Sequence, residues 1–109
     1  MNSKLVLILS SMPSEEDGKL FAEDLVRLRL AECVKVFPTT SFYIWDRKLV
    51  KDHESVLLIK ARKDLVDEIE RHFSSQHPYS IPEFIVVDCS YVSEKYLNWV
   101  FSDKTVDPS

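Results

Sequence analysis

The stretch Cys33–Ala61, "CVKVFPTTSFYIWDRKLVKDHESVLLIKA", decides the fold. Val34 and Val36 alternate with Lys35 and Phe37, and "TSFYIW" (Thr40–Trp45) consists largely of residues that suit a pleated, half-buried surface. "DRK" (Asp46–Lys48) is the natural point of reversal, after which Leu49–Ala61 returns as a second strand. That reversal holds no glycine, so a longer loop or a bulge is expected there in place of a two-residue turn. Pro38 cannot donate to a ladder, which places it at a bulge or on a sheet edge. A strand from Cys33 to Trp45 spans roughly 43 Å at about 3.3 Å per residue. A compact domain of this length has a radius of gyration near 13 Å, hence a diameter of about 34 Å. The hairpin must either fold back at Pro38 or project beyond its own domain. A projecting arm bearing Phe42, Tyr43, Ile44 and Trp45 needs cover, and sister subunits are the natural cover.

Outward from the hairpin the pattern repeats once on each side. Lys4–Ser10 ("KLVLILS") is short and almost wholly apolar, as in a strand buried on both faces. Ser14 then starts a helix: its side chain can accept a free backbone N–H, and Glu15, Glu16 and Asp17 suit the positive end of the helix dipole. Phe21, Ala22, Leu25 and Leu28 form its packing face. After the hairpin, 63–76 reads as a second helix, with Leu65, Val66, Ile69 and Phe73 on one face and charged residues on the other. "FIVVDCSYV" (Phe84–Val92) reads as a last apolar strand, and Ser93 caps a short helix packed through Tyr96, Leu97, Val100 and Phe101. The order is strand, helix, strand, strand, helix, strand, then a terminal helix. That is an α+β, ferredoxin-like sandwich (βαββαβ plus a C-terminal helix) with a long hairpin. Right-handed crossovers place the first and third strands at its centre. One domain over 1–103 is expected, with 104–109 fraying.

Composition narrows the function classes. The net charge is −4 and the basic residues are scattered, so the footprint of a nucleic-acid or polybasic membrane binder is missing. Gly18 is the only glycine, which excludes a phosphate-cradling glycine loop and the glycine–aromatic RNA-binding motif. "LVLIL" is too short for a membrane span or a signal peptide's apolar core, and acidic residues follow it; a soluble cytoplasmic protein is expected. Cys33 and Cys89 lie far apart in apolar stretches and read as buried free thiols. No metalloprotease or nucleophile-elbow motif is present, and an enzyme is not expected.

"ECVKVFP", "SFYIWDRKLVKDHESVLLIKA", "HPYSIPEFIVV" and "YLNWV" together resemble the CutA family of divalent-cation-tolerance proteins, in order over about Leu5 to Phe101. The resemblance implies a ferredoxin-like homotrimer whose long hairpin reaches across to neighbouring subunits. It also implies an architecture like the PII signalling proteins, with clefts between subunits. It links the chain to tolerance of copper and other divalent cations, through a copper site of one cysteine and adjacent histidines. Carried over, the cysteine position falls on Ser10 and the first histidine on Gln76, while the second is His77. The family's usual glycine in the hairpin turn falls on Arg47. A serine hydroxyl and a glutamine amide are poor copper ligands beside thiolate and imidazole.

Two sets of candidate residues emerge. For copper or another divalent cation, His77 offers a ring nitrogen and Glu83 an oxygen, with symmetry available to complete the set. For a small ligand, Asp52, Glu54 and Lys60 share strand parity and point to one side. With Tyr43, Trp45, Tyr79 and Glu83 they can line an intersubunit cleft. The same aromatics equally suit a trimer core with interface salt bridges. His53 and His72 are expected to be solvated. One reading is therefore a trimeric metal- or ligand-binding protein of cation tolerance; the other is a PII-like module that recognises a metabolite or partner peptide.

Overall fold

A computed structural model describes residues 4–104. The chain runs β1 (Leu5–Met12), α1 (Glu15–Arg27), β2 (Cys33–Trp45), β3 (Lys48–Arg62), a 3-10 turn (Lys63–Leu65), α2 (Val66–Gln76), β4 (Ile85–Asp88) and α3 (Glu94–Val100). The four strands make one antiparallel sheet of order β2-β3-β1-β4, with the first and third strands central as expected. Among the described residues no helix is long and apolar enough to cross a membrane.

Helix α1 begins where the local chemistry dictates. Ser14 is extended at φ −147° and accepts the Asp17 N–H at 3.1 Å, with Glu15, Glu16 and Asp17 in the first turn. The helix ends on a paired cap: Leu30 N–H donates to Leu25 O and Arg29 N–H to Val26 O, both at 3.0 Å. This cap requires a left-handed residue, and Arg29 supplies it at φ 60° where glycine would be cheaper. Phe21, Ala22 and Leu25 are buried as expected, but Leu28 is exposed, because the helix has ended and turned away before it.

Strand parity divides the sheet into two faces. Val6, Ile8, Leu57, Ile59 and Ala61 are buried and pack with Leu25, Ile69 and Phe73 of the helices. Leu7, Leu9, Val56, Leu58 and Lys60 alternate onto the other face and stay half-buried. The expectation of a first strand buried on both faces thus fails on one face, since α1 and α2 share a side. Gly18 is needed where α1 crosses β3: a Cβ there would lie 2.4 Å from Ser55 Oγ and 3.0 Å from Val36 Cγ1.

The hairpin projects. Its strands pair without a break from Cys33↔Lys60 to Trp45↔Lys48, and the radius of gyration, 15.1 Å, exceeds that of a compact sphere of this length. Pro38 sits opposite Ser55 with no bulge, tolerated because β2 is an edge strand. The turn corrects the expected longer loop: it is a two-residue turn, Asp46–Arg47, with φ of 51° and 65°. Two positive φ values match the right-handed twist of the strands, and the long ladder holds the turn without glycine.

Near the C-terminus the structure departs further from the sequence reading. β4 is only four residues and exposed, because it pairs with β1 alone at the sheet edge. The second helix opens with the 3-10 turn before α2 begins. Ser93 stands at the start of α3 without capping it through its side chain. Both cysteines are free but half-buried, not enclosed. Lys104 is tied down, donating to Glu32 at 3.0 Å and Val100 O at 2.7 Å and lying 4.6 Å above the Trp99 ring; the rest of the expected fraying tail lies outside the described residues.

Candidate functional site

The base of the hairpin gathers part of the predicted cleft. Asp52, Glu54 and Lys60 do share the sheet face away from the helices, as their register with Ser41, Thr39 and Cys33 requires. Tyr43, two residues along β2 from Ser41, donates its hydroxyl to Asp52 Oδ2. Tyr79, from the loop after α2, donates to Glu54 Oε2 at 2.7 Å. Two phenol–carboxylate pairs therefore stand side by side. Burial first, then the Glu54 bond, holds the Tyr79 hydroxyl well above the ordinary phenol range. The bond to Asp52 raises Tyr43 in the same direction.

On the helix side of the hairpin base, at the start of α1, lies an open cavity of about 630 Å³. Pro13, Ser14 and Glu15 form one wall; Pro38, Thr39, Thr40, His53 and Glu54 form the other. Thr39 is the direct cross-strand partner of Glu54, and Thr40 that of His53, with Thr40 Oγ1 3.4 Å from His53 Nδ1. Sequence reading missed this pocket's α1 wall. Parity could have paired Thr39 with Glu54 had the two-residue turn been recognised.

The other predicted residues do not join them within the chain. Lys60 lies six residues along β3 from Glu54, about 20 Å at strand rise. There it donates to Tyr96 Oη of α3 at 2.9 Å and sits 4.8 Å above that ring. This bond raises the Lys60 ammonium above its usual range. Trp45 is at the exposed hairpin tip, and Glu83 is exposed in the loop before β4. Helical spacing gives Tyr96 only a packing role, whereas its hydroxyl also accepts from Lys60.

His77 is more committed than a surface ligand. Its Nε2 lies 2.8 Å from the Ser11 carbonyl, which can only accept, so Nε2 carries the proton. Nδ1 then accepts the Tyr79 N–H at 3.0 Å. The ring stacks on Phe73 at 5.7 Å and meets Phe21 edge-on at 5.8 Å. Both nitrogens are in use, so a cation would have to displace a bond that holds the loop. Ser10 is fully buried with its hydroxyl unpartnered, whereas Gln76 is exposed at the end of α2. These residues do not fit copper: one is sealed in the core, one offers an amide, and one is already bonded on both sides. Among the described residues no group of three or more His, Cys, Asp or Glu is placed to hold a metal ion. His72, expected to be solvated, instead bridges α2 to Asp24 of α1 at 2.9 Å and packs 5.5 Å from Phe21.

The sheet face itself is unusual for a chain standing alone. Phe37, Tyr43, Trp45, Ile85 and Val87 are exposed on it, and Phe42, Ile44 and Leu49 are exposed on the opposite side of the hairpin. The arm is thus apolar on both faces.

A family model described as "CutA1 divalent ion tolerance protein" matches residues 6–103. The divalent-cation tolerance protein CutA of Thermus thermophilus is 34% identical over 95 residues, covering 86% of this chain and 92% of that relative. The chloroplastic protein CutA of Arabidopsis thaliana is 34% identical over 96 residues, and there the chain spans only 53% of the relative's length. The crystal structure of CutA1 from Oryza sativa superimposes with a TM-score of 0.86 at 32% identity, covering 91% of this chain and 92% of that one.

Proposed function

Because the chain belongs to the CutA1 divalent ion tolerance family, we propose that it is a homotrimeric, non-enzymatic binding protein of cation tolerance, with ligand clefts formed at the hairpin bases. The observation that carries this reading is the projecting hairpin. An arm apolar on both faces cannot be covered by one flat partner surface. A ring in which each arm lies between neighbours covers both faces and closes without a free end. The sheet face bearing Phe37 and Val87 then becomes the interior of the ring, and Tyr43, Glu54 and Tyr79 come to lie where subunits meet. Binding without catalysis is supported by the cluster's chemistry: its carboxylates are bonded by phenols, and the Ser10 hydroxyl is enclosed. The two free thiols suit a reducing compartment, the cytoplasm.

Binding of copper or another divalent cation calls for groups brought together by assembly, because the buried Ser10 and the Gln76 amide supply no good ligand. His77 and Glu83 join such a site only if the His77 bonds are exchanged. The engaged ring of His77 favours the second reading, a PII-like module whose cleft takes a small molecule or a partner peptide. Native mass spectrometry tests the assembly: a trimer is expected, and a monomer at micromolar concentration refutes it. Calorimetric titration of copper and zinc into the trimer and into a His77→Ala trimer tests the metal. Equal affinities remove His77 from it; no binding of either ion leaves the small-molecule module.

A further inference from the structure

We infer that a second cavity, at the far end of the sheet from the hairpin base, takes a small organic anion with an apolar body. Arg62 lines it, eight residues along β3 from Glu54 and about 26 Å away at strand rise. The cavity measures about 600 Å³, within the range of small-molecule sites. It lies where the end of α1, the 3-10 turn and the end of α3 come together. Val26, Ala31, Leu65 and Phe101 give it apolar walls.

Which charge the cavity accepts depends on which of its groups are already spent. Arg29, Arg62 and Lys104 line it together with Glu32, Asp64 and Asp103, so formal charges alone cancel. Lys104 holds Glu32 at 3.0 Å, and its other bonds go to the Val100 and Ser102 carbonyls. Arg62 reaches both oxygens of Asp64, through Nε at 3.3 Å and Nη2 at 3.4 Å, with its guanidinium 5.2 Å from the Phe101 ring. A guanidinium carries five N–H donors, so Arg62 keeps three. The Arg29 side chain makes no hydrogen bond or ion pair among the described residues, which leaves all five of its donors. The cap that ends α1 also occupies the Asp24, Leu25 and Val26 carbonyls, which would otherwise repel an anion. Asp103, exposed at the rim, is the one lining acid without a cation partner among the described residues. Lys4 offsets it from an adjoining hollow that shares Arg62, Asp64 and Phe101. The unspent capacity is therefore for donating. Guanidinium forks match the paired oxygens of a carboxylate or a phosphate monoester, and the apolar walls suit the body that carries them.

The test titrates the assembled protein with benzoate and phenyl phosphate, following the amide NMR signals of Ala31, Glu32 and Leu65 at low salt. Acetate, inorganic phosphate and benzylammonium are the comparators. At least one aryl anion is expected to shift these amides in a saturable way, and the tighter of the two names carboxylate or phosphate monoester as the class. Glycine is the residue that the φ of 60° at position 29 prefers, so Arg29→Gly keeps the cap while removing the guanidinium. That variant is expected to weaken the aryl anion at least fivefold, and Arg29→Lys, with charge but no fork, to recover part of the loss. Arg29→Gly binding like the parent overturns the inference, as does benzylammonium binding as well as the anions. Acetate or inorganic phosphate matching its aryl counterpart overturns the apolar walls' part in it, and with that the inference. Silence from every probe overturns it too, and none of these failures touches the reading of the hairpin base.

Discussion

Replacing Gly18 with alanine is expected to destabilise the protein, although alanine is the better helix former by about 0.8–1 kcal/mol. The added Cβ would lie 2.4 Å from Ser55 Oγ, far inside contact distance. Ser55 is fully buried, and its hydroxyl donates to Ser14 O at 2.8 Å, the carbonyl that also accepts the Gly18 N–H at 3.0 Å. Ser55 must therefore rotate and leave its acceptor, at about 1–3 kcal/mol for a buried hydroxyl without a partner, or α1 must lift from the sheet. Overpacking against Val36 adds about 1–3 kcal/mol if neither gives way. With both costs set against the propensity gain, the net loss is about 1–5 kcal/mol. Denaturant unfolding at one fixed protein concentration measures it, since assembly ties stability to concentration. A cycle with Ser55→Ala isolates the cause: in that background the penalty is expected to shrink by about 1 kcal/mol or more, because the clashing oxygen is gone. If Gly18→Ala proves as stable as the parent, or the cycle shows no coupling, the close approach of α1 to β3 is not the reason glycine stands there.

Arg47→Gly is expected to stabilise the hairpin by about 1 kcal/mol, since glycine adopts the positive φ of this turn without the penalty an arginine bears; a lowered melting temperature refutes that reading of the turn. Ser10→Ala removes a buried, unpartnered hydroxyl and is expected to leave stability unchanged or raise it by about 1 kcal/mol. A loss of comparable size in unfolding experiments contradicts the enclosed, unbonded placement. The raised Tyr79 and Tyr43 hydroxyls favour the protonated form in the folded state, so the stability they contribute is complete below the unfolded value of about 10 and declines as pH rises beyond it. Thermal melts from pH 8 to 11 should therefore fall more steeply for the parent than for Tyr79→Phe, with tyrosinate absorbance following the fall. Parallel curves refute the burial of that hydroxyl.

Much of this was legible from residue order. The βαββαβ succession, the Ser14 cap and the excess length of Cys33–Trp45 depend on spacing and propensity, which are local quantities. The parity of Asp52, Glu54 and Lys60 was also readable, because a strand alternates whatever it packs against. The turn at Asp46–Arg47 is not legible locally because no glycine marks it, whereas the unbroken pairing of Cys33–Trp45 with Lys48–Lys60 holds both residues at positive φ. β4 was drawn too long because its apolar run looks the same at a sheet edge as at a sheet centre. The placement of His72 against Asp24 came from helix packing, which no pattern within α2 announces.

The candidate site divides along the same line. Sequence alone named Tyr43, Glu54 and Tyr79, and periodicity put Glu54 on a definite side of its strand. It could not say that Lys60 lies about 20 Å from Glu54 along β3, or that both nitrogens of His77 are already engaged. Alternation fixes which face a side chain takes, but distances between faces, loops and helices follow from how the layers close on one another. That closure turned His77 from a candidate ligand into the pin of a loop, and brought the Tyr79 hydroxyl onto Glu54.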